Sequence, residues 1–190
     1  GVVVMGREDA SQAAARVLRN RSLPSIDFLL VASPDDGSAF SAPLIVETIG
    51  VEALITGKEG EYRHTLEALP VEDGTLYLDE GAVSFWGDCR AEQLTDGFIR
   101  LTIGGTRLLF CPEGGDASRL TADERRTNLA VYTGSAPRNV AALTTQAGVL
   151  SVDEEMLPFA EKSVPRGVYP VGNTAKDDVT IYTRGAGDIS

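Results

Sequence analysis

The sequence predicts an α/β fold in one domain spanning 1–190, and three observations predict it. Apolar strand-like runs alternate with helix-length segments over the first third of the chain. The period then shortens to strands separated by turn residues, including the Gly104-Gly105 pair, and the alternation returns toward the end. That order suits two sheets packed face to face with helices outside. With 190 residues, 43% of them hydrophobic, the chain can bury a sizeable core.

Each element has its own signal. Val2 to Met5 is a short β-branched run and reads as a strand. Asp9 or Ser11 can cap a helix to about Asn20, with Val17-Leu18 and the alanines as its apolar face, and Pro24 stops any continuation. Ile26 to Ala32 is nearly continuous in apolar residues and suits a strand buried on both faces. Ser33 to Ser38 reads as a polar turn, Ala42 to Ile49 as a helix and Val51 to Thr56 as a strand, completing a βαβ pattern. Glu59 to Leu69 reads as a short helix carrying His64.

Thr75 to Leu78, Ala82 to Trp86, Phe98 to Ile103 and Arg107 to Cys111 then read as strands, the last two joined by the Gly-Gly hairpin signal. Beyond them the reading is a polar helix at Thr121 to Thr127, a strand at Leu129 to Tyr132 and a helix at Asn139 to Gln146. A strand at Gly148 to Val152, a helix from Asp153 to Lys162 and a strand at Val179 to Thr183 complete the chain.

Composition excludes several functions. With 28 acidic and 17 basic residues the net charge is −11, so the surface repels phosphate backbones unless its cations gather on one face. No apolar run approaches eighteen residues. The opening Gly1-Val2-Val3-Val4 reads as a chain entered inside a fold, so a piece of a larger protein is expected. The two cysteines, Cys89 and Cys111, form no CxxC pattern; reduced half-buried thiols are expected, with a disulfide as the alternative in an oxidising space. Histidine occurs once, at His64, and an imidazole-built zinc hydrolase cannot be assembled from one histidine.

Three segments carry a family resemblance: Ile26 to Ser38, Phe98 to Glu113, and Leu129 to Ser135, with a weaker echo at Val179 to Ile189. Their order resembles the metallo-β-lactamase superfamily. More narrowly it resembles the C-terminal extramembrane domain of ComEC-like DNA-internalisation competence proteins, without the family's opening strand pair. The resemblance implies a metallo-β-lactamase-like αββα sandwich, incomplete at its N-terminus. It also implies a bacterial inner-membrane parent, the side of the membrane left open, with DNA or other uptake-machinery proteins as partners.

The departures from that pattern decide the chemistry. Ser33 and Ser38 stand where the family's first metal loop has histidines, and Gly37 replaces its second aspartate, while Asp35 is retained. Glu113 falls at or near the bridging aspartate, and Tyr132 and Thr133 replace a histidine pair. The seven vestigial positions are therefore Ser33, Asp35, Gly37, Ser38, Glu113, Tyr132 and Thr133. Hydroxyls are poor zinc ligands and glycine is none, so the zinc or manganese of intact relatives is not expected here, nor a small-molecule cofactor, nor any catalytic residue.

The remaining candidates have plain readings. Asp35 and Asp36 suit a turn or helix cap, although hard cations would accept them together with Glu113. His64 sits among charges and reads as a surface residue. Ser33 and Ser38 have no histidine base for nucleophilic catalysis. Arg125, Arg126 and Arg138 read as surface arginines or as flanks of the vestigial cleft able to meet phosphates. The favoured expectation is a non-catalytic structural or docking module in DNA uptake. The alternatives are a metal-dependent nuclease acting on transforming DNA and a metal-free protein-interaction domain.

Overall fold

A computed structural model describes residues 2–5, 10–31, 37–57, 60–78, 83–84, 89–112, 114–132, 138–152, 158, 162 and 167–172. The fold class is α/β, and the chain divides into two compact units, residues 1–83 and 84–190.

In the first unit, β1 (Val2–Met5), α1 (Ala10–Asn20), β2 (Ser25–Val31), α2 (Gly37–Thr48), β3 (Gly50–Thr56), α3 (Arg63–Glu67) and β4 (Gly74–Tyr77) alternate along the chain. The four strands form one sheet in sequential order, and every neighbouring pair is parallel. Right-handed crossovers between strands added in one direction place successive helices on the same face. The packing agrees: Ala15 and Leu18 of α1, Ala39, Ala42, Ile45 and Val46 of α2, and Leu66 of α3 share one cluster with Leu29, Val31 and Leu54 of the sheet. Burying each leucine, isoleucine or valine contributes roughly 1.5–3 kcal/mol and each alanine less, which is what holds these short helices in place. The other face of the sheet is also withdrawn from water, because Leu30, Ala53 and Ile55 are buried.

Helix α1 ends as its sequence directs, with one exception to type. The Leu23 amide donates to the Leu18 carbonyl at 3.3 Å and the Ser22 amide to the Arg19 carbonyl at 2.9 Å. This paired closure is a Schellman motif, and it puts Ser22 at φ 52, a left-handed backbone that usually takes glycine. Helix α2 begins earlier than Ala42. Gly37 and Ser38 are its first residues, so the polar turn ends before them, and Pro43 lies inside the helix instead of opening it. Proline forfeits one backbone bond there. The fully buried Ala39, Ala42 and Ile45 offset that loss, a tertiary term that local propensity does not contain.

The second unit, from Ser84, holds a seven-stranded sheet whose first strand begins one residue earlier. Its strands are β5 (Val83–Ser84), β6 (Arg90–Gln93), β7 (Ile99–Ile103), β8 (Thr106–Cys111), β9 (Arg126–Tyr132), β10 (Thr144–Val152) and β11 (Val168–Gly172), in the spatial order β11-β10-β9-β8-β7-β6-β5. From β8 to β11 neighbours are parallel, while β6, β7 and β8 pair antiparallel. The Gly104-Gly105 hairpin forms as its dipeptide predicts, both glycines at positive φ.

The register sorts side chains by face. Phe98, Leu109, Cys111, Ala130 and Tyr132 form a buried cluster with Ala117 and Leu120, and Leu94, Val140 and Leu143 pack against it. Toward the hairpin the surface turns ionic. Arg100 and Glu92 are cross-strand partners joined by a charge-assisted hydrogen bond. Asp123 lies 3.1 Å from Arg100 and 3.0 Å from Arg107. Burial alone would lower the Arg100 pKa, but Glu92 and Asp123 together raise it, so the guanidinium stays charged.

Two predicted helices are absent from this unit. Thr121 to Thr127 is a single turn closed by a reciprocal cap: the Thr121 amide donates to Glu124 at 2.6 Å and the Glu124 amide to the Thr121 hydroxyl at 3.3 Å. The chain extends into β9 from Arg126, because pairing with β10 takes over at Arg126 and Thr127. Asn139 to Gln146 is a short 3₁₀ turn, Val140–Ala142, followed by β10 from Thr144. Strands β6 and β11 lie in segments that the sequence reading left without an element. The strands read at Ala82 to Trp86 and Val179 to Thr183, and the helix from Asp153 to Lys162, lie largely or wholly outside the described residues.

Candidate functional site

Parallel β8 and β9 end side by side, with Cys111 and Tyr132 as register partners. Strand ends of this kind, with the loops beyond them, are where α/β sheets place ligands. Here the strand ends are capped and tied. The loop after β8 turns through the 3₁₀ segment Ala117–Arg119, and the loop after β9 re-enters at Arg138. The Arg138 amide donates to the Gly115 carbonyl at 2.8 Å, and the Ala117 amide donates to the Arg138 carbonyl at 3.0 Å.

Asp116 is the hub of this junction. Its Oδ1 accepts from the Ser118 amide at 2.9 Å, the Ser118 hydroxyl at 2.7 Å and the Asn139 Nδ2 at 2.9 Å. Donation from Asn139 first, then Ser118, holds the carboxyl well below its ordinary range, at about 2. Asn139 adopts φ 55, a conformation that asparagine tolerates better than most residues. Gly115 fits beneath because it has no side chain: a Cβ there would meet the Phe98 ring at 2.9 Å.

Tyr132 lies below these loops and is only 1% exposed. Its hydroxyl is buried and has no hydrogen-bond partner among the described residues. Burial, reinforced by Cys111, pushes its pKa up to about 12, and burial pushes the Cys111 thiol to about 12 as well. At neutral pH both groups are uncharged. A neutral phenol and an inert thiol in an apolar cluster offer no anionic ligand and no nucleophile.

The other predicted positions fall as follows. Ser33, Asp35, Asp36, Glu113 and Thr133 lie outside the described residues. Gly37 and Ser38 open α2 in the first unit, and Tyr132 closes β9 in the second. Among the described residues no three His, Cys, Asp or Glu side chains come close enough to hold a metal ion. His64 is 95% exposed and lies 3.7 Å from Glu67, a surface setting. Arg125 donates to the Ser118 carbonyl at 2.5 Å, and Arg138 reaches the Gly114 carbonyl at 3.5 Å, so both serve the loops; Arg126 is exposed.

The sequence reading passed over Asp116 and Asn139. The Asp-x-Ser spacing at 116–118 was the available signal, since aspartate followed two residues later by a donor favours a local turn. No helix among the described residues is long and apolar enough to cross a membrane. No family model matches this chain, and no curated protein matches it.

Proposed function

We propose that the chain is a non-catalytic, metallo-β-lactamase-like domain of a ComEC-like competence protein, serving DNA uptake as a structural or docking module. The observation that carries this reading is Tyr132. At the strand end where the resembling family sets a histidine pair, this chain buries a neutral phenol among apolar side chains. A residue used that way packs the core and leaves no hand for a metal. Two of the resembling segments, Phe98 to Glu113 and Leu129 to Ser135, contain β8 and the end of its parallel neighbour β9.

The net charge of −11 favours a protein surface over a DNA backbone as the docking partner. A metal-free protein-interaction domain is therefore the second reading. The test is elemental analysis of the purified chain with a nuclease assay supplemented with Mn²⁺ and Mg²⁺. Absence of stoichiometric metal, together with intact DNA, is the expected result. Bound metal with DNA cleavage would reject the reading and turn attention to Asp35 and Glu113.

A further inference from the structure

Cys89 and Cys111 are both buried in the second unit, and no disulfide joins them. The strand register shows how far apart they are. Arg90, next to Cys89, is opposite Thr102, which is opposite Arg107; Ile99 is opposite Phe110, next to Cys111. Cys89 therefore sits at the hairpin end of the sheet and Cys111 at the opposite end, two strands away. Five residues of rise and two strand spacings place their Cα atoms roughly 20 Å apart. A disulfide needs them within about 7 Å.

From this geometry we infer that the native sheet forms only from the reduced chain, because a Cys89–Cys111 disulfide made before folding excludes it. In the unfolded chain the two thiols are separated only by residues 90–110, a loop that closes readily. With a small-molecule disulfide such as oxidised glutathione, one cysteine thiolate attacks a glutathione sulfur and releases one glutathione thiol. The second cysteine thiolate then displaces the other glutathione. Two protein thiols lose two electrons, and two glutathione thiols are formed. The resulting ring holds Cys89 near Cys111, and β6, β7 and β8 cannot then take their register. Once folded, both thiols are shielded, and burial keeps Cys111 protonated.

The test is refolding of the whole 190-residue chain from guanidinium at pH 8, in reduced or in oxidised glutathione. Near-UV circular dichroism reports native packing and mass spectrometry reports the bond. In oxidised glutathione the native yield should fall at least about fivefold, with the intrachain bond present, and later reductant should restore it. The folded protein, placed in the same oxidised buffer, should keep both thiols. The double variant Cys89→Ala/Cys111→Ala should refold alike in both buffers. Should that variant fail to fold, rescue of the natural chain by reductant still decides. Native refolding in oxidised glutathione, with or without the intrachain bond, would overturn the inference, as would glutathione adducts without the ring.

Discussion

Replacing Tyr132 with phenylalanine isolates the hydroxyl from the ring. The ring is a fully buried part of the second unit's core, whereas the buried hydroxyl has no hydrogen-bond partner among the described residues. A buried, unsatisfied polar group costs about 1–3 kcal/mol, so its removal should leave stability unchanged or raise it by roughly 1 kcal/mol. For a domain of this size that corresponds to about 2–4 °C in Tm. Tyr132→Ala removes the ring as well and should cost about 3–5 kcal/mol through lost burial and the cavity left behind. Urea denaturation at pH 7 followed by circular dichroism measures both variants.

The alkaline limb supplies an independent reading of the same hydroxyl. The folded phenol is held at about 12 against an ordinary 10.0, so its neutral form is favoured by folding. That stability is fully present below pH 10 and is lost as pH rises toward 12. The phenylalanine variant should lose less stability over that interval than the natural chain; Cys111, raised for the same reason, contributes equally to both. A loss of more than about 1 kcal/mol in Tyr132→Phe at pH 7 would refute the reasoning, because it would mean that the hydroxyl makes a bond worth that much.

Gly115→Ala should destabilise by about 1–3 kcal/mol in the same denaturation assay, since its Cβ would press on Phe98 within a packed core. Ser22→Gly should be neutral to stabilising by up to about 1 kcal/mol, because glycine adopts the left-handed closure of α1 without strain, although its unfolded chain is freer. Asp116 has a folded pKa of about 2, below its ordinary 3.8, so its contribution to stability is present above pH 4 and is lost as pH falls through 2. Asp116→Ala should flatten stability against pH over that interval, and carboxyl chemical shifts followed by NMR should show the low titration directly in the natural chain. Native Cys89 and Cys111 should resist a thiol reagent at pH 8, and both should react after unfolding in guanidinium.

What the sequence determined by itself is the class of the fold and most of the first unit. Ile26 to Val31 and Val51 to Ile55 are apolar in all but one position each because strands of a parallel sheet meet packing on both faces, and that leaves a local signature. The Gly104-Gly105 turn was equally legible, since its backbone conformation excludes most other residues. Tertiary structure decided the rest. Thr121 to Thr127 carries a genuine helix-start signal in its capping box, but β10 offers Arg126 and Thr127 backbone partners that a one-turn helix cannot match. Thr144 to Gln146 became strand for the same reason. At the candidate site, the sequence placed Tyr132 at a strand end but did not show its surroundings. That Tyr132 is a buried neutral phenol, that Asp116 spends its acceptors on Ser118 and Asn139, and that the two cysteines lie at opposite ends of one sheet all depend on register and burial. These bring together residues distant in sequence, so no local stretch of sequence encodes them.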